Sequence, residues 1–190
     1  MTHPTMEDFK PVPPVAIIGV GNLLMSDEGI GIHVIRAMGR CRLPHRIELI
    51  DGGTGGLSLL NLMRGRERVI IVDAVSAKAP PGAVYRWTPT LVHSPPKCFR
   101  SAHTEDIQEI LQAGSRLFPL PSILCIGIIP HDAATPGTSL SRTLRRQLPA
   151  IARIVRREGI QRSPSSVRST SGPRIPRTRS GILRRGPNAT

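Results

Sequence analysis

Residues 15–31 read VAIIGVGNLLMSDEGIG and indicate how the chain begins to fold. Its first six residues are apolar apart from Gly19, which is typical of a strand buried on both faces. A glycine-containing turn follows, and the apolar residues after Gly29 recur at helical spacing. A strand, a turn and a helix in this order predict the first unit of a parallel sheet covered by helices.

The rest of the chain repeats the alternation. Strands are predicted at residues 47–50, 69–72, 82–87 and 123–129, with 82–87 at an edge of the sheet. The fold class is therefore α/β, in three layers, with a largely parallel twisted sheet between helices on both faces.

Glycine and proline mark the ends of the two predicted C-terminal helices. The first begins at Thr104, which caps it, and stops at Gly114. The second begins near Leu140, is kinked or split at Pro149 and ends at Gly159.

Charge and composition divide the chain into three parts. The net charge is +13, from 26 basic and 13 acidic residues, and seven arginines lie in residues 161–190, which have no acidic residue. We expect a flexible proline-rich leader at 1–14, an α/β domain at 15–160 and a disordered basic tail at 161–190. Because the tail has no aromatic residue to stack on bases, we expect no specific nucleic-acid partner.

The cysteines and the hydropathy of the chain indicate the cellular compartment of the protein. The three cysteines, Cys41, Cys98 and Cys125, have neither metal-binding spacing nor an even count for a disulfide framework. No apolar run approaches the roughly 20 residues that span a bilayer. We expect a cytoplasmic protein with no membrane span.

Four polar residues follow predicted strands or precede a predicted helix. Glu28 follows the first strand, Asp51 the second and Asp73 the third, and His103 precedes the helix that begins at Thr104. The crevice of an open parallel sheet lies beyond the carboxyl ends of its strands. Two carboxylates and an imidazole meeting there suit a divalent transition metal, although a strand-end aspartate is commonly a turn residue.

A dinucleotide site is the alternative interpretation of the same turn. Gly19 and Gly21 match the start of the fingerprint, but Leu24 occupies the position of its third glycine. Asp27 and Glu28 would repel a pyrophosphate at that position. We therefore expect no organic cofactor.

Five blocks together resemble the hydrogenase maturation protease family, endopeptidases that trim the C-terminus of nickel–iron hydrogenase large subunits. The blocks are residues 19–31, 50–56, 71–74, 101–103 and 126–130. They occur in the family's order and spacing, and the resemblance covers roughly residues 15–159.

The resemblance implies a substrate and a set of site residues. The partner is a nickel–iron hydrogenase large-subunit precursor, and the nickel belongs to that substrate. Glu28, Asp73 and His103 match the family's nickel-recognising residues, and residues 51–54 match a segment implicated in substrate recognition and cleavage. The enzyme would then sense that the precursor has received its metal before cutting it.

Two carboxylates are candidates for the catalytic base of the cleavage reaction. Neither a GxSxG elbow nor an HExxH motif occurs, and no cysteine has an evident base beside it. A metal held jointly by enzyme and substrate would polarise the carbonyl or activate water, with Asp51 or Asp73 as the catalytic base. A nickel-binding checkpoint module without cleavage is the other class of function.

Overall fold

A computed structural model describes residues 12–89 and 104–161. Its strands are β1 Val15–Gly19, β2 Ile47–Asp51, β3 Arg68–Ala74, β4 Val84–Trp87 and β5 Ser122–Ile128. Its helices are α1 Ile30–Met38, α2 Leu59–Met63, α3 Thr104–Ser115 and α4 Arg142–Ile160, and a 3-10 turn covers Ser26–Gly29. Residues 1–11 of the predicted leader and 162–190 of the predicted tail lie outside the described residues.

The five strands form one sheet in the order β2-β1-β3-β5-β4. All neighbours are parallel except β4, which pairs antiparallel with β5 at the edge. The predicted α/β class and the predicted edge strand are confirmed. Strand β2 lies on one side of β1 and strand β3 lies on the other. The topological switch point of the sheet therefore lies between β1 and β3.

Helices cover both faces of the sheet. The core on one face lies beneath α1 and α4, and that on the other lies beneath α2 and α3. Neighbouring strand residues alternate between the two cores, so Ile17 and Ile70 face α1 and α4 while Ile18 and Ile71 face α2 and α3. Each of these fully buried isoleucines stabilises the fold by about 2 kcal/mol.

The predicted split of the last helix at Pro149 is wrong, and its predicted end at Gly159 is one residue short. Helix α4 runs unbroken through Pro149, and Gly159 lies inside its last turn. The buried stripe of Leu144, Ile151 and Val155 offsets the hydrogen bond that proline removes. A side chain at Gly159 would come within 2.7 Å of Ile17, so this glycine serves close packing rather than termination.

The predicted end of α3 at Gly114 is likewise one residue short, because the helix includes Gly114 and ends at Ser115. A side chain at Gly114 would come within 2.5 Å of Leu60 on α2. The glycine therefore permits close approach of two helices, a reason that a single sequence does not reveal.

No helix within residues 12–89 and 104–161 is long and apolar enough to cross a bilayer.

Candidate active site

Two loops at the carboxyl edge of the sheet are joined by hydrogen bonds, and we call them together the rim. They are residues 22–28, after β1, and residues 130–141, after β5. The amide of Ser26 donates to the Gly137 carbonyl at 2.7 Å, and the amide of Gly137 donates to Leu24 at 2.8 Å. The Ser26 hydroxyl donates to the Thr135 carbonyl at 2.8 Å. These contacts hold segments more than 100 residues apart in one arrangement.

Asp27 lies at the centre of the rim and is fully buried. Its Oδ2 accepts hydrogen bonds from the amides of His131 and Asp132, both at 3.0 Å. Its Oδ1 accepts from the amide of Ser141 at 2.7 Å. Its own amide donates to the Asp132 carbonyl at 2.9 Å. Bonds from three amides compensate the desolvation of this carboxylate.

Glu28, the first predicted nickel ligand, follows Asp27 directly and is half-buried. Its backbone lies against Gly21, whose φ is +144°. A side chain at Gly21 would collide with the Glu28 carbonyl oxygen. This glycine therefore lets the acidic turn sit directly over the end of β1.

Asp73, the second predicted ligand, lies one residue before the end of β3 and is 2% exposed. Its Oδ1 accepts a hydrogen bond from the Ala74 amide at 2.8 Å. Asp73 alternates with Val69 and Ile71, so its side chain lies on the face that α2 and α3 cover. Glu28 and Asp73 thus come from the loop and the strand on the two sides of the switch point.

Asp51, the alternative base, ends β2 on the far side of β1. Strands β2 and β3 both pair with β1, so roughly 10 Å of backbone separates Asp51 from Asp73. Its side chain is 47% exposed, lies 3.6 Å from the Arg36 guanidinium and accepts the Gly53 amide at 3.0 Å. Glu28 therefore lies in the loop after β1 and Asp73 near the end of the neighbouring strand β3, whereas Asp51 ends β2 on the other side of β1.

His103, the third predicted ligand, lies outside the described residues. Helix α3 begins at the next residue, Thr104, and its buried residues Ile107, Ile110 and Leu111 pack on the face that Asp73 shares. A six-residue link joins the end of α3 to the start of β5, so α3 runs antiparallel to the strands and begins toward the carboxyl edge. Over the described part of the chain, no three His, Cys, Asp or Glu side chains are grouped closely enough to hold a metal ion.

Burial removes one cysteine from consideration as a nucleophile. Desolvation, reinforced by the nearby Asp73 carboxylate, raises the pKa of the Cys125 thiol far above its usual range. A thiol with so high a pKa is protonated and unreactive at neutral pH. Cys41 is exposed on the loop after α1, and Cys98 lies outside the described residues.

Two further groups on or beside the rim have shifted pKa values. Burial, followed by the charge of Arg36, lowers the pKa of His33, and Asp27 opposes this shift. Hydrogen bonds from Thr135 and Ala134 lower the pKa of Asp132, which is held as an anion within its own loop.

The sequence identifies Asp27 only as a charge that would repel phosphate and does not indicate its buried position. Its three amide partners lie 104 to 114 residues further along the chain. No local periodicity reports such contacts. The one available signal was an acidic residue directly before a buried helix, where a free carboxylate would be costly unless the fold supplied donors.

Comparison with known proteins agrees with this α/β architecture. The family model described as HycI, hydrogenase maturation protease, matches residues 32–158. The hydrogenase 2 maturation protease of Escherichia coli is 32% identical over 160 residues, which are 79% of this chain and 95% of that protein. The HupD hydrogenase expression/formation protein of Thiocapsa roseopersicina is 32% identical over 73% of this chain, which spans 65% of its length.

A solved structure shows the same fold. The hydrogenase maturating endopeptidase HybD of Escherichia coli superposes with a TM-score of 0.63 at 29% identity, over 74% of this chain and 88% of that one. This chain belongs to the hydrogenase maturation protease family and is a peptide hydrolase. The resemblance drawn from the sequence is thereby confirmed, and the checkpoint module without cleavage and the dinucleotide-binding protein are both disfavoured.

Proposed function

We propose that this chain removes the C-terminal extension of a nickel–iron hydrogenase large-subunit precursor after nickel has been inserted. Glu28, Asp73 and His103 contact the nickel that the precursor carries. The reaction is hydrolysis of one peptide bond and takes place in the cytoplasm. The enzyme supplies no organic cofactor, and the metal is part of the substrate.

The position of two carboxylates carries the proposal. Glu28 and Asp73 flank the switch point of the sheet, where ligands of open α/β sheets bind. Asp73 is nearly inaccessible to water, so its charge acts in a medium that screens it little. Helix α3 begins on the same face directly after His103, which would add an imidazole to the two carboxylates. Carboxylate and imidazole donors together suit a divalent transition ion.

The chemistry follows from holding the metal and the peptide together. A metal held between enzyme and substrate fixes the scissile bond relative to the enzyme and polarises its carbonyl or a water. The base that takes the proton from water is Asp51 or Asp73. Asp51 is the more accessible of the two and adjoins the glycine-rich loop at residues 52–56, so we place it beside the peptide and keep Asp73 for the metal.

The test is to incubate the purified full chain with nickel-loaded and nickel-free precursor and to measure intact mass. We expect the loaded precursor to lose its C-terminal extension and the nickel-free precursor to stay intact. His103→Ala and Asp73→Asn should each reduce processing. Even a partner outside a metal's own ligands costs about 10–100-fold when removed, so loss of a direct ligand should cost at least that much.

His131→Ala is the matched control. His131 is exposed on the rim, and it is its backbone amide, not its imidazole, that bonds to Asp27. Its loss should leave processing within about twofold of the unmodified rate. Normal cleavage of nickel-free precursor would refute nickel recognition, and a folded His103→Ala variant with a normal rate would refute the ligand set.

A further inference from the structure

The carboxylate of Asp27 is enclosed by the rim and lies next in sequence to Glu28, a proposed nickel ligand. It is fully buried, it precedes Glu28 directly, and its three donors among the described residues come from the loop after β5. We propose that Asp27 is a positioning residue that holds Glu28 in the geometry needed to contact the substrate's nickel. This inference rests on the proposed role of Glu28.

The hydrogen bonds specify a carboxylate at this position. Two amides meet at Oδ2 and a third meets Oδ1, so both oxygens must accept. An asparagine has one acceptor oxygen, and its NH₂ group would face at least one of these amide donors. The site therefore distinguishes a carboxylate from an amide of the same shape.

The backbone around Asp27 transmits the constraint to Glu28. Ser26 has a φ of +47°, a left-handed conformation that a serine adopts only when its surroundings hold it. The amides of Ser26 and Asp27 donate to the loop after β5, and the amide of Glu28 donates to the Met25 carbonyl at 3.0 Å. Release of the Asp27 carboxylate would free the turn from which the Glu28 side chain projects.

The decisive experiment is a double-mutant cycle between Asp27→Asn and Glu28→Gln. Processing of nickel-loaded precursor is measured with the enzyme in excess, so that slow rates are resolved. Asp27→Asn alone should lower the rate by roughly 10–100-fold, the range found when a partner that orients a metal ligand is removed. In the Glu28→Gln background it should lower the rate by less than about twofold, because its effect passes through Glu28.

Asp132→Asn is the matched control for a carboxylate in the same loop. Its Oδ1 also accepts two backbone amides, from Ala134 at 3.1 Å and Thr135 at 2.9 Å, but both belong to its own loop. Its side chain is partly exposed to solvent, and its contacts with Asp27 are made by its backbone amide and carbonyl, which the substitution leaves in place. We expect its substitution to change the rate by less than about twofold.

A pair of substitutions at Ser141 tests the same contact if Asp27→Asn fails to fold. Ser141 caps α4 with its hydroxyl and has a φ of −51°, which a proline accepts. Ser141→Ala removes the cap alone, whereas Ser141→Pro removes the cap and the amide that donates to Asp27 Oδ1. Ser141→Pro should process the nickel-loaded precursor more slowly than Ser141→Ala does. This difference between the two variants should disappear in the Glu28→Gln background.

The outcomes separate the two proposals. Additive losses for Asp27→Asn and Glu28→Gln, or a normal rate for a folded Asp27→Asn variant, would overturn the positioning role. A normal rate for Glu28→Gln itself would overturn the role of Glu28 in the proposed function, and the positioning role would fall with it. A non-additive loss that Asp132→Asn does not reproduce would support the inference.

Discussion

The two ends of the carboxyl edge are built differently. At one end, a fully buried Asp27 and a set of long-range hydrogen bonds join the two rim loops. At the other end, the loop at residues 52–56 carries three glycines with positive φ and follows an Asp51 that is nearly half exposed. The ion pair of Asp51 with Arg36 is exposed on both sides, a kind of contact that stabilises by at most about 1 kcal/mol.

Under the proposed function, the two ends would have different tasks. Contact with a metal ion requires donors at fixed positions, and the rim has the buried and bonded construction that fixes them. Accommodation of a peptide requires backbone that adjusts, which glycine-rich loop segments allow. The enzyme would thus contact the metal at the rim and bind the extended peptide at the loop of residues 52–56.

The largest expected effect is that of a methyl group added to a glycine at each end. Gly21→Ala would place Cβ against the backbone of Glu28 and Gly29 at a φ of +144°, a conformation that alanine rarely adopts. We expect a loss of about 4 kcal/mol in the free energy of unfolding, measured by urea denaturation. Gly53→Ala, with a φ of +55° and no described atom within 4 Å of the new Cβ, should cost about 1 kcal/mol. Equal losses would remove the contrast.

The next effect compares an aspartate from each end. Asp27→Ala leaves three amides of the rim without their acceptor, and we expect about 3 kcal/mol of destabilisation at neutral pH. Asp51→Ala removes an exposed ion pair and one local hydrogen bond, and should cost less than about 1 kcal/mol while strongly reducing cleavage. An Asp51→Ala variant that still processes precursor at the normal rate would exclude Asp51 as the base.

The smallest effect is a pH dependence of stability, which comes from His33 beside the rim. Because burial lowers the pKa of His33 in the folded protein, the unfolded chain binds a proton at His33 at a higher pH than the folded protein does. Its contribution to stability is complete above the unfolded pKa of about 6.5 and is lost as pH falls through the lower folded pKa. Between pH 7 and pH 5, the thermal midpoint of the unmodified protein should therefore fall by more than that of His33→Gln. A constant difference would contradict the shift.

Much of the architecture was predictable because it depends on local pattern. Apolar runs such as residues 69–72 indicate strands buried on both faces, and their alternation with helical segments leaves few topologies other than a parallel sheet. The same reasoning placed Glu28 and Asp73 at the carboxyl edge, where the structure has both. The convergence of His103 with them stays a prediction.

The local pattern of the chain was therefore enough to predict the layers of the fold, the positions of Glu28 and Asp73 and the family. The course of α4 through Pro149 depends on long-range packing, since burial of its apolar stripe outweighs one missing hydrogen bond. Only the tertiary structure separated Asp51 from Asp73 by a strand and gave the buried Asp27 its three amides. These contacts join residues far apart in the chain, and their energies depend on burial, which no local pattern contains.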